Sequence, residues 1–213
     1  MKKKVYYKLT DKNGRTHGGC QWGEGVEHKA KGKGVKLCSS AVIHCYSSPE
    51  LAVFANPVHA NFDLQTAQLW EFEVDRIVSR DTLKLGCKLG KTIRRIRMPK
   101  MSIDQRVEVA IRCALLAKQD PTFVSWANKW LSKEAGAAEA ADWVDEAAEA
   151  AARAAEAADW ADGAAKAAGA AEAADWADGA AGWAARAAKA ADWAAGAADV
   201  DIQAILEQVL KED

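Results

Sequence analysis

The sequence contains no run of eighteen apolar residues free of charge, so it predicts no membrane-spanning helix. Its basic start leads directly into residues 5–9 rather than into an apolar signal-peptide core. Its five cysteines are odd in number and widely spaced, which favours free thiols in a reducing cytoplasm over a disulfide-linked, secreted fold. Because the cysteines and histidines form no C-x-x-C or H-x-x-x-H pair, the sequence predicts no metal site, and we expect no cofactor.

Net charge is also nearly absent, because 29 basic and 30 acidic side chains almost cancel. The charges are nevertheless segregated along the chain. Residues 1–134 carry 24 basic and 13 acidic side chains, whereas residues 135–213 carry 5 and 17. This division predicts an electrostatic partner for at least one of the two halves.

Residues 1–100 predict a basic, strand-rich α+β domain. Runs of β-branched and aromatic residues predict strands at residues 5–9, 35–37, 41–46, 69–74 and 92–98. One short helix is predicted to begin at Ser48, its N-cap, with Pro49 in the first turn. We expect this helix to end near Ala55, because Pro57 follows.

Residues 101–134 predict a pair of helices. Ser102 and Gln105 have the spacing of a capping box, and Asp120 and Pro121 begin the second helix with a cap and a proline. Helical spacing places the following residues of the first helix on one apolar face: Ile103, Val107, Ala110, Ile111 and Ala114. In the second helix, the same spacing predicts that Phe123, Trp126 and Trp130 belong to the core.

Residues 135–199 are an alanine-rich internal repeat, in which AAEAADW occurs three times and AAKAADW once. Alanine has the highest helix propensity, so we expect an all-α region packed as helical hairpins or as a coiled coil. Homo-oligomerisation would cover its tryptophans, which are Trp143, Trp160, Trp176, Trp183 and Trp193. Residues 200–213 predict an amphipathic helix whose apolar face includes Ile205, Leu206 and Val209.

Two basic segments of the first domain suggest phosphate recognition. Lys31 and Lys33 lie in a glycine-bearing loop, where backbone N–H groups can approach an anion. Arg94 and Arg95 lie on a basic strand and offer fork-shaped donors. A solvated hairpin tip and a charged strand face would show the same pattern. Nucleic acid is not the favoured ligand, because the acidic tail would repel it.

Aromatic and polar residues of the same domain complete a candidate ligand site. Trp22 and Tyr46 would stack on a base. His44, His59 and Asn61 would form hydrogen bonds with its base or sugar. These residues predict a nucleotide-like ligand.

The amino-acid sequence of several segments resembles that of a family of uncharacterised phage and prophage proteins. The segments are residues 21–28, 37–38, 43–52, 56–62, 69–71, 104–107, 110–115 and 123–131. In that family a compact N-terminal domain precedes an Ala/Trp-rich tail of variable length. The resemblance implies a bacterial cytoplasm during infection or lysogeny, and a host-directed role.

A second resemblance concerns residues 43–52 and the alternating strand that follows them, which are similar to part of an ADP-ribosyl-transfer fold. In those enzymes an aromatic residue stacks on nicotinamide and a later glutamate is catalytic. Tyr46 would match the aromatic residue, and Glu71 or Glu73 the acid. Where that fold has His or Arg on its first strand, this chain has Tyr6-Tyr7-Lys8.

Three hypotheses follow from these patterns. The first is a non-catalytic, phage-type counter-defence protein that sequesters a nucleotide-like small molecule and oligomerises through its tail. The second is an inhibitor of a host defence protein, with the acidic tail imitating nucleic acid. The third is an enzyme that transfers ADP-ribose from NAD through Tyr46 and Glu71.

Overall fold

The computed structural model describes residues 4–117, 121–133 and 201–211. The chain divides into two compact units, Met1–Lys100 and Met101–Asp213. The described residues form nine strands and four α-helices, which confirms a mixed α+β fold. The predicted repeat helices lie outside the described residues, together with Trp143, Trp160, Trp176, Trp183 and Trp193.

All nine strands belong to the first unit. They are β1 (Tyr6–Thr10), β2 (Arg15–Thr16), β3 (Cys20–Gln21), β4 (Glu27–Lys29), β5 (Ile43–Cys45), β6 (Gln68–Val74), β7 (Ile77–Arg80), β8 (Leu85–Cys87) and β9 (Leu89–Ile96). One antiparallel sheet has the order β1-β6-β9-β4, a second has β5-β8-β7, and β2 pairs with β3. Tyr7 and Tyr46 exchange two backbone hydrogen bonds of 2.9 Å, which joins β1 to the end of β5.

The predicted strand at residues 35–37 is wrong, because these residues belong to the loop between β4 and β5. The reason lies in Lys88, whose ammonium group donates to the carbonyls of Gly32, Gly34 and Ala41. These carbonyls meet a lysine instead of a neighbouring strand. The loop is therefore folded around a cation, and its Gly32 N–H bonds to the Ser40 carbonyl at 2.7 Å.

Helix α1 (Pro49–His59) begins as predicted, with the Ser48 hydroxyl accepting a bond of 3.1 Å from the Leu51 N–H. The predicted end near Ala55 is wrong, since the helix continues through Pro57. Its last turn is closed by the Asn56 carbonyl, which accepts bonds from the N–H groups of Ala60 and Asn61. The turn after the proline thus keeps its hydrogen bonds.

The core of the first unit includes four buried side chains, namely Trp22, Cys45, Phe72 and Cys87. Trp70 and Phe72 are buried on β6 with the two-residue period of a strand, and the adjacent Leu69 is buried as well, so the alternation holds only in part. All five cysteines of the chain are free thiols.

The second unit contains α2 (Ile103–Ala117), α3 (Pro121–Leu131) and α4 (Ile202–Val209). The capping box is confirmed: the Ser102 hydroxyl accepts from the Gln105 N–H at 3.1 Å, and the Gln105 side chain accepts from the Ser102 N–H at 2.8 Å. Helix α4 contacts α2. Its residues Leu206 and Val209 are buried as predicted, and Ile205 is half-buried. The predicted cap Asp120 lies outside the described residues.

Four apolar positions of the predicted α2 face are buried, namely Val107, Ala110, Ile111 and Ala114. In α3, Trp126 is buried and Trp130 is half-buried. The side chains of Ile103 and Phe123 fall outside what the structure describes. Across the described ranges, every helix is too short or too polar to cross a membrane.

Candidate functional site

The first unit contains a cavity of about 650 Å³, a volume typical of small-molecule sites. It lies beside the junction of β1 with β5, and loops from three parts of the unit complete its wall. Its lining includes Lys8, Thr16, His17, Trp22, Cys38, Ser39, Ser40, His44, Tyr46, His59, Phe62 and Lys84.

The cavity brings together four of the nine predicted ligand residues, namely Trp22, His44, Tyr46 and His59. The other five do not belong to its lining, and they are Lys31, Lys33, Asn61, Arg94 and Arg95. In place of the predicted cations, the cavity has Lys8 and Lys84. Neither lysine stands in a local pattern that sequence reasoning detects.

A chain of polar contacts runs from Asp81 to the cavity wall. The Lys84 ammonium lies 3.5 Å from an Asp81 carboxylate oxygen and 3.0 Å from Nε2 of His59. Nδ1 of His59 lies 3.3 Å from the Tyr46 hydroxyl. Because an ammonium group only donates, His59 accepts at Nε2, carries its proton on Nδ1 and donates to the Tyr46 oxygen. The hydrogen of the Tyr46 hydroxyl is therefore left for a ligand.

Burial keeps His59 and Tyr46 in one protonation state each near neutral pH. Burial and, after it, the nearby Lys84 charge together lower the pKa of His59 to about 4. Burial also raises the pKa of Tyr46 above its ordinary value. At neutral pH the imidazole is uncharged and the phenol keeps its hydrogen.

His44 connects the β4–β5 loop to the floor of the cavity. Its Nε2 accepts a bond of 3.0 Å from the Cys38 N–H, which places its proton on Nδ1. Its backbone carbonyl accepts a bond of 2.8 Å from the Lys8 ammonium. Burial, followed by the charge of Lys84, lowers the pKa of His44 to about 4.

Lys8 is only 6% exposed, although it is a lysine. Its Nζ lies 4.7 Å from the ring centroid of Trp22 and 5.5 Å from that of Phe72. Burial lowers the pKa of Lys8 to about 8. The cavity floor therefore has an amine whose charge is held by aromatic faces and one carbonyl.

The electrostatics of the cavity favour an anion. Its lining includes Lys8 and Lys84 but neither Asp nor Glu. Asp81 lies behind Lys84 and outside that lining. Because both lysines are buried, their ammonium groups would attract a negatively charged ligand more strongly than the same groups on the open surface.

The predicted phosphate-binding residues outside the cavity have other surroundings. Arg94 forms two hydrogen bonds with Glu71, one of which measures 2.8 Å from Nε to Oε2. The guanidinium lowers the pKa of Glu71. Lys31, Lys33 and Arg95 are exposed. The Glu71 carboxylate that the enzyme hypothesis requires is thus paired with Arg94 and lies outside the cavity lining.

Aromatic side chains lie both deep in the cavity and near its mouth. Trp22 is 3% exposed and donates from Nε1 to the Thr16 hydroxyl at 3.2 Å. Its ring packs edge-to-face against that of Phe72, with an interplanar angle of 72°, so it is mainly a core residue. His17 and Phe62 stack with ring centroids 5.9 Å apart, and His17 is exposed, which places this pair near the mouth.

Comparison with known protein families, with curated proteins and with solved structures finds no match for this chain.

The two buried imidazoles predict a loss of stability in acid. The pKa of His44 and that of His59 are about 4 in the folded protein and about 6.5 in an unfolded chain. Between these values the unfolded chain binds more protons, so we expect the free energy of unfolding to fall as the pH drops from about 6.5 to about 4. Urea unfolding at several pH values measures this slope.

The variants His44→Gln and His59→Gln should each reduce the slope. His17→Gln, which changes an exposed ring, is the control and should leave the slope unchanged. A slope that neither cavity variant alters would show that other groups cause the acid sensitivity.

Proposed function

We propose that the first unit binds a small, phosphate-bearing ligand of nucleotide type in its cavity. The observation that supports this most directly is the pairing of two buried lysines, Lys8 and Lys84, in a lining without a carboxylate. Buried lysines need a compensating group. Lys84 has Asp81 beside it, whereas Lys8 has no carboxylate within ion-pair distance among the described residues. An anionic ligand would supply the missing negative charge.

The hydrogen-bonding groups of the cavity are complementary to phosphate. Lys8 and Lys84 are donors, Tyr46 has a free hydroxyl hydrogen, and His44 carries its proton on Nδ1. Phosphate oxygens accept several hydrogen bonds at once, and bonds that involve charged groups are roughly twice as strong as neutral ones. A lining rich in donors therefore selects a ligand rich in acceptors.

The depth of these groups suggests how a nucleotide would lie. The two lysines are buried, whereas His17 is exposed and Phe62 is half-buried. The phosphate would occupy the inner end, and the base would lie against the His17–Phe62 stack. Base stacking on aromatic side chains contributes about 1–3 kcal/mol per base.

Binding without turnover is the role that the arrangement supports over ADP-ribosyl transfer. Tyr46 lines the cavity, as both hypotheses require, but Glu71 is bonded to Arg94 outside the lining. Oligomerisation through the Ala/Trp repeat and imitation of nucleic acid by the acidic tail depend on residues outside the described ranges, and they stay predictions. The phage context likewise stays a prediction.

Isothermal titration of the full chain with adenosine, adenosine monophosphate and adenosine diphosphate tests the proposal. We expect the two nucleotides to bind in the micromolar range and adenosine at least about tenfold more weakly, because it lacks the phosphate. Inorganic phosphate should compete with the nucleotides. If no nucleotide binds more tightly than about 1 mM, the proposed function is wrong.

A further inference from the structure

The cavity contains two lysines whose surroundings differ in kind. Lys84 has a carboxylate at 3.5 Å and an imidazole at 3.0 Å, so its charge is compensated. Lys8 instead donates to the His44 carbonyl and lies over the aromatic faces of Trp22 and Phe72. Three cysteine thiols also lie near enough to act on its charge, namely Cys45, Cys87 and Cys20. This contrast singles out Lys8 as the amine that can lose its proton, because no carboxylate among the described residues lies beside it to hold the charge.

Lys8 belongs to the cavity lining, and its ammonium group contacts two other residues of that lining. Its hydrogen-bond acceptor, His44, and its nearer aromatic neighbour, Trp22, both belong to the cavity lining. Burial lowers its pKa to about 8, so roughly a tenth of the molecules hold a neutral amine at pH 7. Desolvation in a hydrophobic pocket is one way in which proteins activate lysine as a nucleophile.

A proton donor for carbonyl chemistry, the Tyr46 hydroxyl, belongs to the same cavity lining. Tyr7, which precedes Lys8 in β1, pairs with Tyr46 through two backbone bonds. The Tyr46 hydroxyl accepts from His59, so its own hydrogen is available to an oxygen atom in the cavity. The cavity thus combines an amine, a hydroxyl donor and a fixed cation.

We propose that Lys8 forms an imine with an aldehyde or ketone group of a phosphate-bearing ligand whose phosphate is held by Lys84. This inference rests on the proposed function, since it adds a carbonyl group to the same class of ligand. The neutral amine attacks the carbonyl carbon, and the carbonyl oxygen takes a proton from Tyr46. The nitrogen then releases a proton that restores the Tyr46 hydroxyl. Loss of water from the resulting carbinolamine leaves a carbon–nitrogen double bond, and no oxidant or reductant is consumed.

Pyridoxal 5′-phosphate is a suitable probe, because it combines a phosphate, an aromatic ring and an aldehyde. The full chain is incubated with a limiting amount of the probe, reduced with borohydride to make the imine permanent, and mapped by peptide mass spectrometry. We expect most of the label on Lys8, although lysines such as Lys31, Lys33 and Lys36 are far more exposed. Pyridoxal without phosphate should label Lys8 at least about tenfold less.

Variants separate the covalent step from binding. Lys8→Arg keeps the charge but cannot form this adduct, so the cavity label should disappear. Lys36→Arg is the matched control on an exposed lysine outside the lining, and it should leave the label on Lys8 unchanged. The result for the unmodified protein does not depend on either variant being folded.

Pyridoxamine 5′-phosphate distinguishes the two ways in which the inference can fail. This compound has the same ring and phosphate but no carbonyl, so it tests binding alone. If it binds the protein while Lys8 stays unlabelled by the aldehyde, the imine is wrong and the proposed function stands. If adenosine monophosphate and pyridoxamine phosphate both fail to bind, the proposed function is wrong and the imine inference falls with it. Label spread evenly over the exposed lysines would also overturn the inference.

Discussion

Replacing Lys84 by Met is expected to weaken the binding of adenosine monophosphate by about 100-fold, which corresponds to roughly 3 kcal/mol. Lys84 is only 8% exposed, so its charge acts on a phosphate with little screening by water. The same change removes the donor to Nε2 of His59. Without that bond the imidazole no longer has a fixed tautomer, and the hydrogen of Tyr46 is no longer directed to the ligand. Isothermal titration at neutral pH measures the loss.

The control is a double variant at the two lysines that the sequence alone predicts to bind phosphate. Lys31→Met with Lys33→Met removes two exposed charges outside the cavity lining. We expect this pair to change the affinity less than about threefold, because salt and water screen exposed charges. Lys84→Arg should retain part of the binding if its melting temperature is close to that of the parent. A larger loss in the double variant than in Lys84→Met would place the phosphate on the loop instead.

The elements that the sequence predicts well are those whose causes are local. The Ser102–Gln105 box and the Ser48 cap each join groups three residues apart, and both form as expected. The alternating run in β6 depends only on the two-residue period of a strand. The wrong predictions concern segments whose conformation depends on a residue far away in the sequence. Residues 35–37 form a loop because the carbonyls around them bond to Lys88, and no feature of residues 35–37 themselves predicts this contact.

The candidate site shows the same division. His44 and Tyr46 stand out in the sequence because they lie on one short segment. Lys8 lies on β1, whereas Lys84 lies far along the chain in the turn just before β8. Only the pairing of β1, β5 and β8 brings the two lysines to one cavity. Arg94 is not free to donate hydrogen bonds to a phosphate, because strand pairing brings it to a carboxylate instead. Its partner Glu71 lies on the neighbouring strand β6, and the register between β6 and β9 shifts at this point.

The other large effect is expected at Lys88, which lies outside the cavity lining. Its ammonium group donates to three carbonyls of the β4–β5 loop. A hydrogen bond to a charged group contributes about 1.5–3 kcal/mol, and bonds that share one donor group do not add fully. We therefore expect Lys88→Met to lower the free energy of unfolding by about 3 kcal/mol. Urea unfolding measures this change, with the exposed loop residue Lys36→Met as the control, for which we expect less than about 0.5 kcal/mol.

The consequence for function follows from what the loop carries. Cys38, Ser39 and Ser40 form part of the cavity wall, and the Cys38 N–H bonds to the His44 imidazole. When the carbonyls of the loop lose Lys88, the wall opens and Nε2 of His44 loses its donor. Hydrogen exchange should then become faster across residues 30–42, and nucleotide affinity should fall although Lys8 and Lys84 are unchanged. Unaltered exchange with reduced stability would contradict this, because it would mean that Lys88 supports the sheet and that the Gly32–Ser40 backbone bond alone holds the wall.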